Sequence, residues 1–151
     1  MFAQTKGWKE SVRTLSSKRP LAVFLYVLME PENTLFDRIG GAERICTLVD
    51  SFYEKVLADG ELAPYFKHAP MGKLIEMQKD FFAAATGGPF NYAGRPLREV
   101  HQHMAISRHD LNRFTGHLID TLKEIGVEDS ASLEIMSHVN LYADEITNDL
   151  D

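Results

Sequence analysis

The sequence predicts an all-α domain, and two observations lead to this prediction. Apolar residues recur at three- and four-residue spacing in successive stretches from residue 34 to residue 150, whereas no comparably strong alternation indicates a strand. Glycine, proline or a capping residue separates these stretches. With 151 residues and 44% hydrophobic content, the chain is long enough to bury one core without covalent staples.

Composition excludes several classes of protein. Cys46 is the one cysteine in the sequence, which excludes an internal disulfide and a thiolate cluster and favours a cytoplasmic protein. The net charge of -6 is opposite to the basic face that phosphate binding requires, so nucleic acid is not an expected partner.

The chain divides into an N-terminal extension, residues 1–33, and a domain, residues 34–151. Residues 1–20 carry five basic residues against Glu10 and place Trp8, Val12 and Leu15 at helical spacing. Leu21–Met29 is an apolar run too short to span a bilayer, which takes about 20 residues in a helix. A basic lead this long with no small-residue cleavage site does not fit a signal peptide.

We expect the basic start of the extension to be solvated or loosely packed. The apolar run is expected to pack on the domain or to bind a partner. Membrane contact through residues 1–30 is the less favoured alternative.

The first two helices of the domain are predicted from their ends. Thr34 with Asp37 suits the start of a short helix, and Gly40-Gly41 ends it. A longer helix is expected from Ala42 to Leu57, before Asp59-Gly60. Its apolar face comprises Ile45, Val49, Phe52 and Val56, with Tyr53 beside them.

A corner at Pro64-Tyr65-Phe66 precedes a helix from Met71 to Thr86. Gln78 interrupts the apolar side of that helix. A buried amide without a partner costs about 1 to 3 kcal/mol, so Gln78 either reaches a polar partner, lines a cavity with polar contents, or faces water at the edge of the stripe. The side in question comprises Leu74, Gln78, Phe81, Phe82 and Ala85.

A short isolated helix is expected within Arg95–Met104, behind the glycine- and proline-rich loop of residues 86–94. Pro96 suits the first helical position. One face of this helix presents Leu97, Val100, His101 and Met104. A histidine in an apolar stripe is either a core residue with satisfied hydrogen bonds or a ligand, and the helix alone does not decide between them.

Two more helices complete the prediction. Ser107 followed by Asp110 resembles a capping box for a helix that runs to Ile125 and is closed by Gly126. Asp129 or Ser130 is expected to cap a last helix toward Leu150. Its predicted buried face comprises Leu133, Ile135, Met136, Val139, Tyr142 and Ile146.

Several enzyme motifs are missing from the sequence. There is no phosphate-binding loop, no His-Glu-x-x-His and no Gly-x-Ser-x-Gly. His101 and His103 point to opposite sides of a helix and cannot share one zinc ion. The remaining histidines are expected to be solvated side chains or caps: His68, His109, His117 and His138.

Residues 34–150 resemble the truncated hemoglobins, the short two-over-two helical globins, and most closely their group I. The resemblance implies an all-α, globin-like, truncated two-over-two helical sandwich around a haem, with residues 1–33 as an extension that has no counterpart. It rests on an ordered set of motifs: Gly40-Gly41, Phe52-Tyr53, the Pro64–Phe66 corner, Leu74-x-x-x-Gln78-x-x-Phe81-Phe82, Gly87-Gly88-Pro89, Tyr92, Gly94 and Val100-His101-Gln102.

The resemblance implies a role for each matched residue. His101 is the proximal iron ligand of haem b (iron protoporphyrin IX), and Phe66 wedges against the porphyrin. Tyr53 and Gln78 are the distal donors that act on the iron-bound ligand. Met77 stands where some group I members place an iron-coordinating histidine, so bis-histidyl coordination is not expected. Further cofactor contacts are implied for Leu74, Phe81, Phe82, Tyr92 and Leu97.

The implied function is the binding of dioxygen, nitric oxide and carbon monoxide at a five-coordinate iron, supporting nitric oxide dioxygenation with an unidentified electron donor. The alternative is a gas or redox sensor, or an oxygen carrier, whose extension contacts a partner or a membrane. A third hypothesis is a haem-free helical interaction domain.

Overall fold

The regular elements of the protein are helical throughout the part that the computed structural model describes, residues 34–89, 92 and 94–147. The all-α prediction is therefore confirmed for these residues. The predictions for residues 1–33 and for residues 148–150 lie outside them. In chain order the helices are α1 Leu35–Ile39, α2 Gly41–Ala58, a 3-10 helix Ala63–Phe66, α3 Met71–Ala85, α4 Leu97–His101, α5 Arg108–Glu124, α6 Asp129–Leu141 and α7 Ala143–Ile146.

Helix α2 is the centre of the core. It packs against α3 on one side and α5 on another, and α6 packs in turn against α5 and α1. The buried ammonium of Lys79 on α3 lies 3.0 Å from the Asp50 carboxylate on α2, which ties these two helices together. Apolar burial along α2 is the main stabilising contribution. Its fully buried residues are Ile45, Leu48, Val49, Phe52 and Val56.

Both predicted capping boxes are confirmed. The Thr34 hydroxyl accepts the Asp37 N–H at 3.1 Å, and the Ser107 hydroxyl accepts the Asp110 N–H at 3.0 Å. Gly40 ends α1 with φ +119°, a left-handed conformation that glycine adopts without steric cost. Local sequence signals therefore set where α1 and α5 begin.

The end of the domain differs from the prediction. Glu128 rather than Asp129 or Ser130 precedes α6, and the helix ends at Leu141 instead of continuing toward residue 150. Leu133 is 71% exposed, so the prediction that it faces the core is wrong. The inward positions are taken by Ala131 and Ile135. The sequence does not reveal this narrow buried stripe, because residues on the exposed side of the helix are apolar as well.

A buried carboxylate joins the end of α2 to α5. The Asp59 side chain is 2% exposed and accepts hydrogen bonds from Arg113 Nε at 2.6 Å and from the Glu61 N–H at 2.9 Å. His117 Nε2 lies 2.7 Å from the same carboxylate. The prediction that His117 is a solvated side chain or a cap is therefore wrong. The hydrogen bond from His117 is the main reason why the pKa of Asp59 is lowered.

We expect Asp59→Asn to lower the melting temperature at pH 7 and to weaken its dependence on acid pH. Because the Asp59 pKa is depressed in the folded protein, its stabilisation is present above the usual carboxyl pKa of about 3.9 and is lost as pH falls through the folded value. Thermal unfolding from pH 7 to pH 2 measures the beginning of this loss, which sets in as pH falls below the usual carboxyl pKa. Asp120→Asn, at an exposed position on the same helix as His117, is the control. Identical acid profiles for Asp59→Asn and the unmodified protein would contradict the account.

Candidate functional site

A cavity of about 700 Å³ lies beside α2 and is enclosed by the 3-10 helix and by α3, α4 and α5. This volume is in the range of cofactor and small-molecule sites, about 300 to 1,000 Å³. Most of the predicted site residues meet on its wall, although they come from separate parts of the sequence. These are Tyr53, Phe66, Leu74, Gln78, Tyr92, Leu97 and His101.

Phe81 and Phe82 are not on the wall of this cavity. They line a second, much smaller cavity between α3 and α6, of about 20 Å³, together with Tyr142. The Phe81 ring stands edge-on to the Tyr92 ring with centroids 5.3 Å apart, so Phe81 lies directly behind a residue of the main wall. Direct contact of Phe81 and Phe82 with a cofactor stays a prediction.

His101 reaches the cavity from the last turn of α4. Its Nδ1 lies 2.7 Å from the Leu97 carbonyl oxygen. A carbonyl only accepts hydrogen bonds, so Nδ1 carries the proton and the lone pair is on Nε2. The residues predicted to share a face with His101 all line the cavity: Leu97, Val100 and Met104. Pro96 precedes α4 as its N-cap instead of occupying the first helical position.

Tyr53 projects from α2 into the same cavity and is 3% exposed. Its ring stands edge-on to those of Phe52 and Phe66, with centroids 5.2 and 5.8 Å away, and these contacts hold its orientation. Burial raises the pKa of the Tyr53 phenol. The hydroxyl therefore keeps its proton at neutral pH and is available as a hydrogen-bond donor.

Gln78 lies on the cavity wall one turn after Leu74 on α3. Of the three positions considered for this amide, the structure has the one in which it lines a cavity. Met77 beside it also lines the cavity and is 38% exposed. Gln78 and Tyr53 thus bring two neutral polar groups to a largely apolar wall.

One polar contact on the wall is not predicted by the sequence. The Tyr65 hydroxyl donates to the Asp110 carboxylate, and both residues line the cavity. This hydrogen bond is the main reason why the Asp110 pKa is lowered. Asp110 was recognised only as a capping residue, and no signal in the sequence pairs it with a tyrosine 45 residues earlier.

Basic side chains on the wall were also missed. Lys73, Arg95 and His68 line the cavity and are exposed, so the prediction that His68 is solvated is confirmed. Similarly, His138 lines the second cavity, whereas His109 is a surface residue 3.2 Å from the Glu61 carboxylate. The signal in the sequence would have been the basic residues in and beside the stretches of α3 and α4 that line the cavity.

The wall fits a haem. A metalloporphyrin is a flat, mostly apolar body that requires an apolar slot and an axial ligand, and its two carboxylates are matched by cations. The cavity offers apolar side chains from several helices, an imidazole with its lone pair on Nε2, and the exposed cations Lys73 and Arg95. The fold and the cavity together define an all-α haem protein of the globin type.

Comparison with known proteins identifies the family. A family model described as bacterial-like globin matches residues 34–148. The group 1 truncated hemoglobin GlbN of Mycolicibacterium paratuberculosis is 41% identical over 113 residues, which cover 75% of this chain and 83% of the relative. A group 1 truncated hemoglobin of Tetrahymena thermophila is 36% identical over 101 residues, covering 67% of this chain and 84% of that protein.

Solved structures agree with these sequence matches. The truncated hemoglobin from Tetrahymena pyriformis in its Fe(III) form matches with a TM-score of 0.74 at 29% identity, covering 78% of this chain and 100% of that one. The 2/2 hemoglobin from Synechococcus with covalently attached heme matches with a TM-score of 0.73 at 28% identity and the same coverage.

The chain belongs to the truncated hemoglobins, group I. The predicted two-over-two globin fold and the haem cofactor are confirmed, and the haem-free helical interaction domain is excluded. Among the described residues, none of the helices combines the length and apolar content of a membrane span.

We expect Tyr65→Phe to raise the pKa of Asp110 toward the usual carboxyl value, because the phenol that stabilises the carboxylate is lost while the ring is kept. The free energy of unfolding at pH 7 should fall by about 1 kcal/mol. Carboxyl ¹³C titration and urea unfolding measure the two effects. An unchanged Asp110 titration would show that this hydrogen bond is not formed in solution.

Proposed function

We propose that the protein converts nitric oxide to nitrate at a haem iron held by His101. Binding of diatomic gases such as dioxygen follows from membership of the family. The observation that carries the proposal is that one cavity brings together the His101 imidazole and two neutral donors, Tyr53 and Gln78. A protein that only binds haem does not require two such donors.

His101 is proposed as the residue that would hold the haem iron, because its hydrogen bond leaves the ring a lone pair for a metal. The Leu97 carbonyl accepts its Nδ1–H and so selects the tautomer with the Nε2 lone pair. A hydrogen bond of this kind also makes a metal-bound imidazole more basic. When bound, haem supplies an iron at which dioxygen and other diatomic gases bind.

Tyr53 and Gln78 are proposed as the groups that hold the bound gas. The phenol O–H and the amide N–H on this wall would donate to a bound gas that carries partial negative charge, and so would slow its dissociation. Together they contribute roughly 1 to 3 kcal/mol. The raised pKa of Tyr53 supports this role, because a phenolate could not donate.

The surrounding side chains are proposed to place the macrocycle and exclude water. Phe66, Leu74 and Leu97 line the cavity and would contact the ring faces. Lys73 and Arg95, at the exposed edge, are suited to hold the two carboxylates. Excluding water strengthens the hydrogen bonds of the two donors, because water no longer competes for them.

Phe81 and Phe82 are proposed to flank a route by which small gases reach the cavity. The proposal is supported by where these two residues lie. Both line the second cavity, and the Phe81 ring contacts Tyr92 on the main wall. An apolar route suits nitric oxide and dioxygen, because neither gas carries a charge.

The overall conversion is that nitric oxide, dioxygen and one electron give one nitrate ion. The electron comes from outside the protein, since no side chain of the cavity is a renewable reductant. A cytoplasmic location is proposed as well, because Cys46 is the single cysteine of the sequence and a chain without an internal disulfide suits a reducing compartment.

We expect Tyr53→Phe and Gln78→Leu to speed dioxygen dissociation by about 5- to 150-fold in the double variant, from the 1 to 3 kcal/mol that the two donors contribute. Stopped-flow measurement of dissociation gives the rates. The matched control is Gln102→Leu, at an exposed position that does not line the main cavity. This control should dissociate dioxygen at the unmodified rate.

The same instrument tests the conversion. Mixing the oxygenated protein with nitric oxide should give ferric protein and one equivalent of nitrate within milliseconds. Slow or incomplete conversion would contradict the proposal and favour an oxygen carrier or a sensor.

A further inference from the structure

The mouth of the haem cavity is positively charged on a protein whose net charge is -6. The mouth is marked by those cavity-lining residues that are exposed. They include Lys73, Arg95 and His68 and, among the described residues, no acidic side chain. The others are Pro64, Pro70, Met77 and Val100.

Two more exposed cations are adjacent in sequence to residues of the wall without lining the cavity themselves. Lys67 directly precedes His68, and Arg98 directly follows Leu97 on α4. The basic rim is defined here as Lys67, Lys73, Arg95 and Arg98. Glu99 lies 3.4 Å from Arg95 Nη1, in an exposed pair of the kind that contributes little.

The rest of the domain has the opposite charge. Outside the basic rim and Glu99, residues 34–147 contain seven lysines and arginines against sixteen acidic residues. Seating haem carboxylates at Lys73 and Arg95 would reduce the charge of the rim by two. Lys67 and Arg98 would still face solvent, because they do not line the cavity. The charge asymmetry of the molecule therefore remains with the cofactor in place.

We propose that the basic rim is the docking surface for an acidic one-electron donor protein. The inference rests on the proposed function, which needs one electron for each nitrate formed. Electron transfer weakens steeply with distance, so a donor has to approach where the cofactor edge is accessible. In the transfer the reduced donor loses one electron and ferric haem iron gains it, with no proton or bond exchanged.

The charge asymmetry explains why such a donor would arrive in a productive orientation. A negative partner is repelled by the acidic remainder of residues 34–147 and attracted to the mouth, which raises the rate of encounter and aligns the two redox centres. A basic donor would instead be drawn to the acidic remainder of the molecule, where the cofactor is not reached.

The test is the reduction of the ferric, haem-loaded full chain by a reduced, acidic plant-type [2Fe–2S] ferredoxin, followed by stopped flow. We expect the second-order rate to fall with ionic strength. Lys67→Glu and Arg98→Glu should each slow it by about 3- to 10-fold at low salt and by less than about 2-fold in 0.5 M salt. The matched control is Lys123→Glu, the same charge change on α5, which should alter the rate by less than about 2-fold.

Two further readouts separate docking from other effects. Reduction by dithionite should be the same for all variants, because it needs no protein interface. Calorimetry of oxidised ferredoxin with the ferric protein should show weaker binding for the two rim variants only. A folding or haem-loading defect would change the dithionite reaction and the absorption spectrum as well.

A rate that is independent of salt or rises with it would overturn the proposal, as would an equal loss in Lys123→Glu or faster reduction by a basic electron-transfer protein. Failure of the proposed function is seen separately. It appears in the reaction of the oxygenated, chemically reduced protein with nitric oxide, which does not involve the basic rim.

Discussion

The hydrogen bond between the His101 ring and the Leu97 carbonyl is the interaction on which the site depends. It lies within a helix of five residues that stands behind a glycine- and proline-rich loop, so the helix has little intrinsic stability. Leu97, Val100 and Met104 line the cavity, and Val100 is 37% exposed. Haem in this cavity would cover these side chains further, so its binding would stabilise the helix that carries His101.

How far the fold follows from the sequence depends on the kind of signal. Residues that cap or end a helix predict local structure well, because Thr34, Gly40 and Ser107 act through contacts with their own neighbours in sequence. Tertiary contacts are harder to predict. The end of α6 and the exposure of Leu133 were predicted wrongly, since the sequence shows how much apolar surface a helix has but not which side the core covers.

The same difference separates the residues of the site that the sequence predicts from those that it does not. Gln78 is predictable because a buried amide without a polar partner is unfavourable, and a cavity that holds a polar group can supply one. The structure places Gln78 on the wall of such a cavity. Asp59 with His117, and Tyr65 with Asp110, could not be predicted, because each pair is far apart in sequence and close only through the packing of α5. The basic rim was missed for the same reason, since its cations come from two sides of the cavity mouth.

The central claim is that His101 holds the iron, and the absorption spectrum of the ferrous protein with and without carbon monoxide tests it most directly. The account predicts a five-coordinate ferrous spectrum that shifts to a histidine-ligated carbon monoxide form. His101→Ala should lose both spectra and regain them with added imidazole, whereas His103→Ala, exposed two residues later and not on the cavity wall, should keep them. Unchanged spectra in His101→Ala would contradict the account.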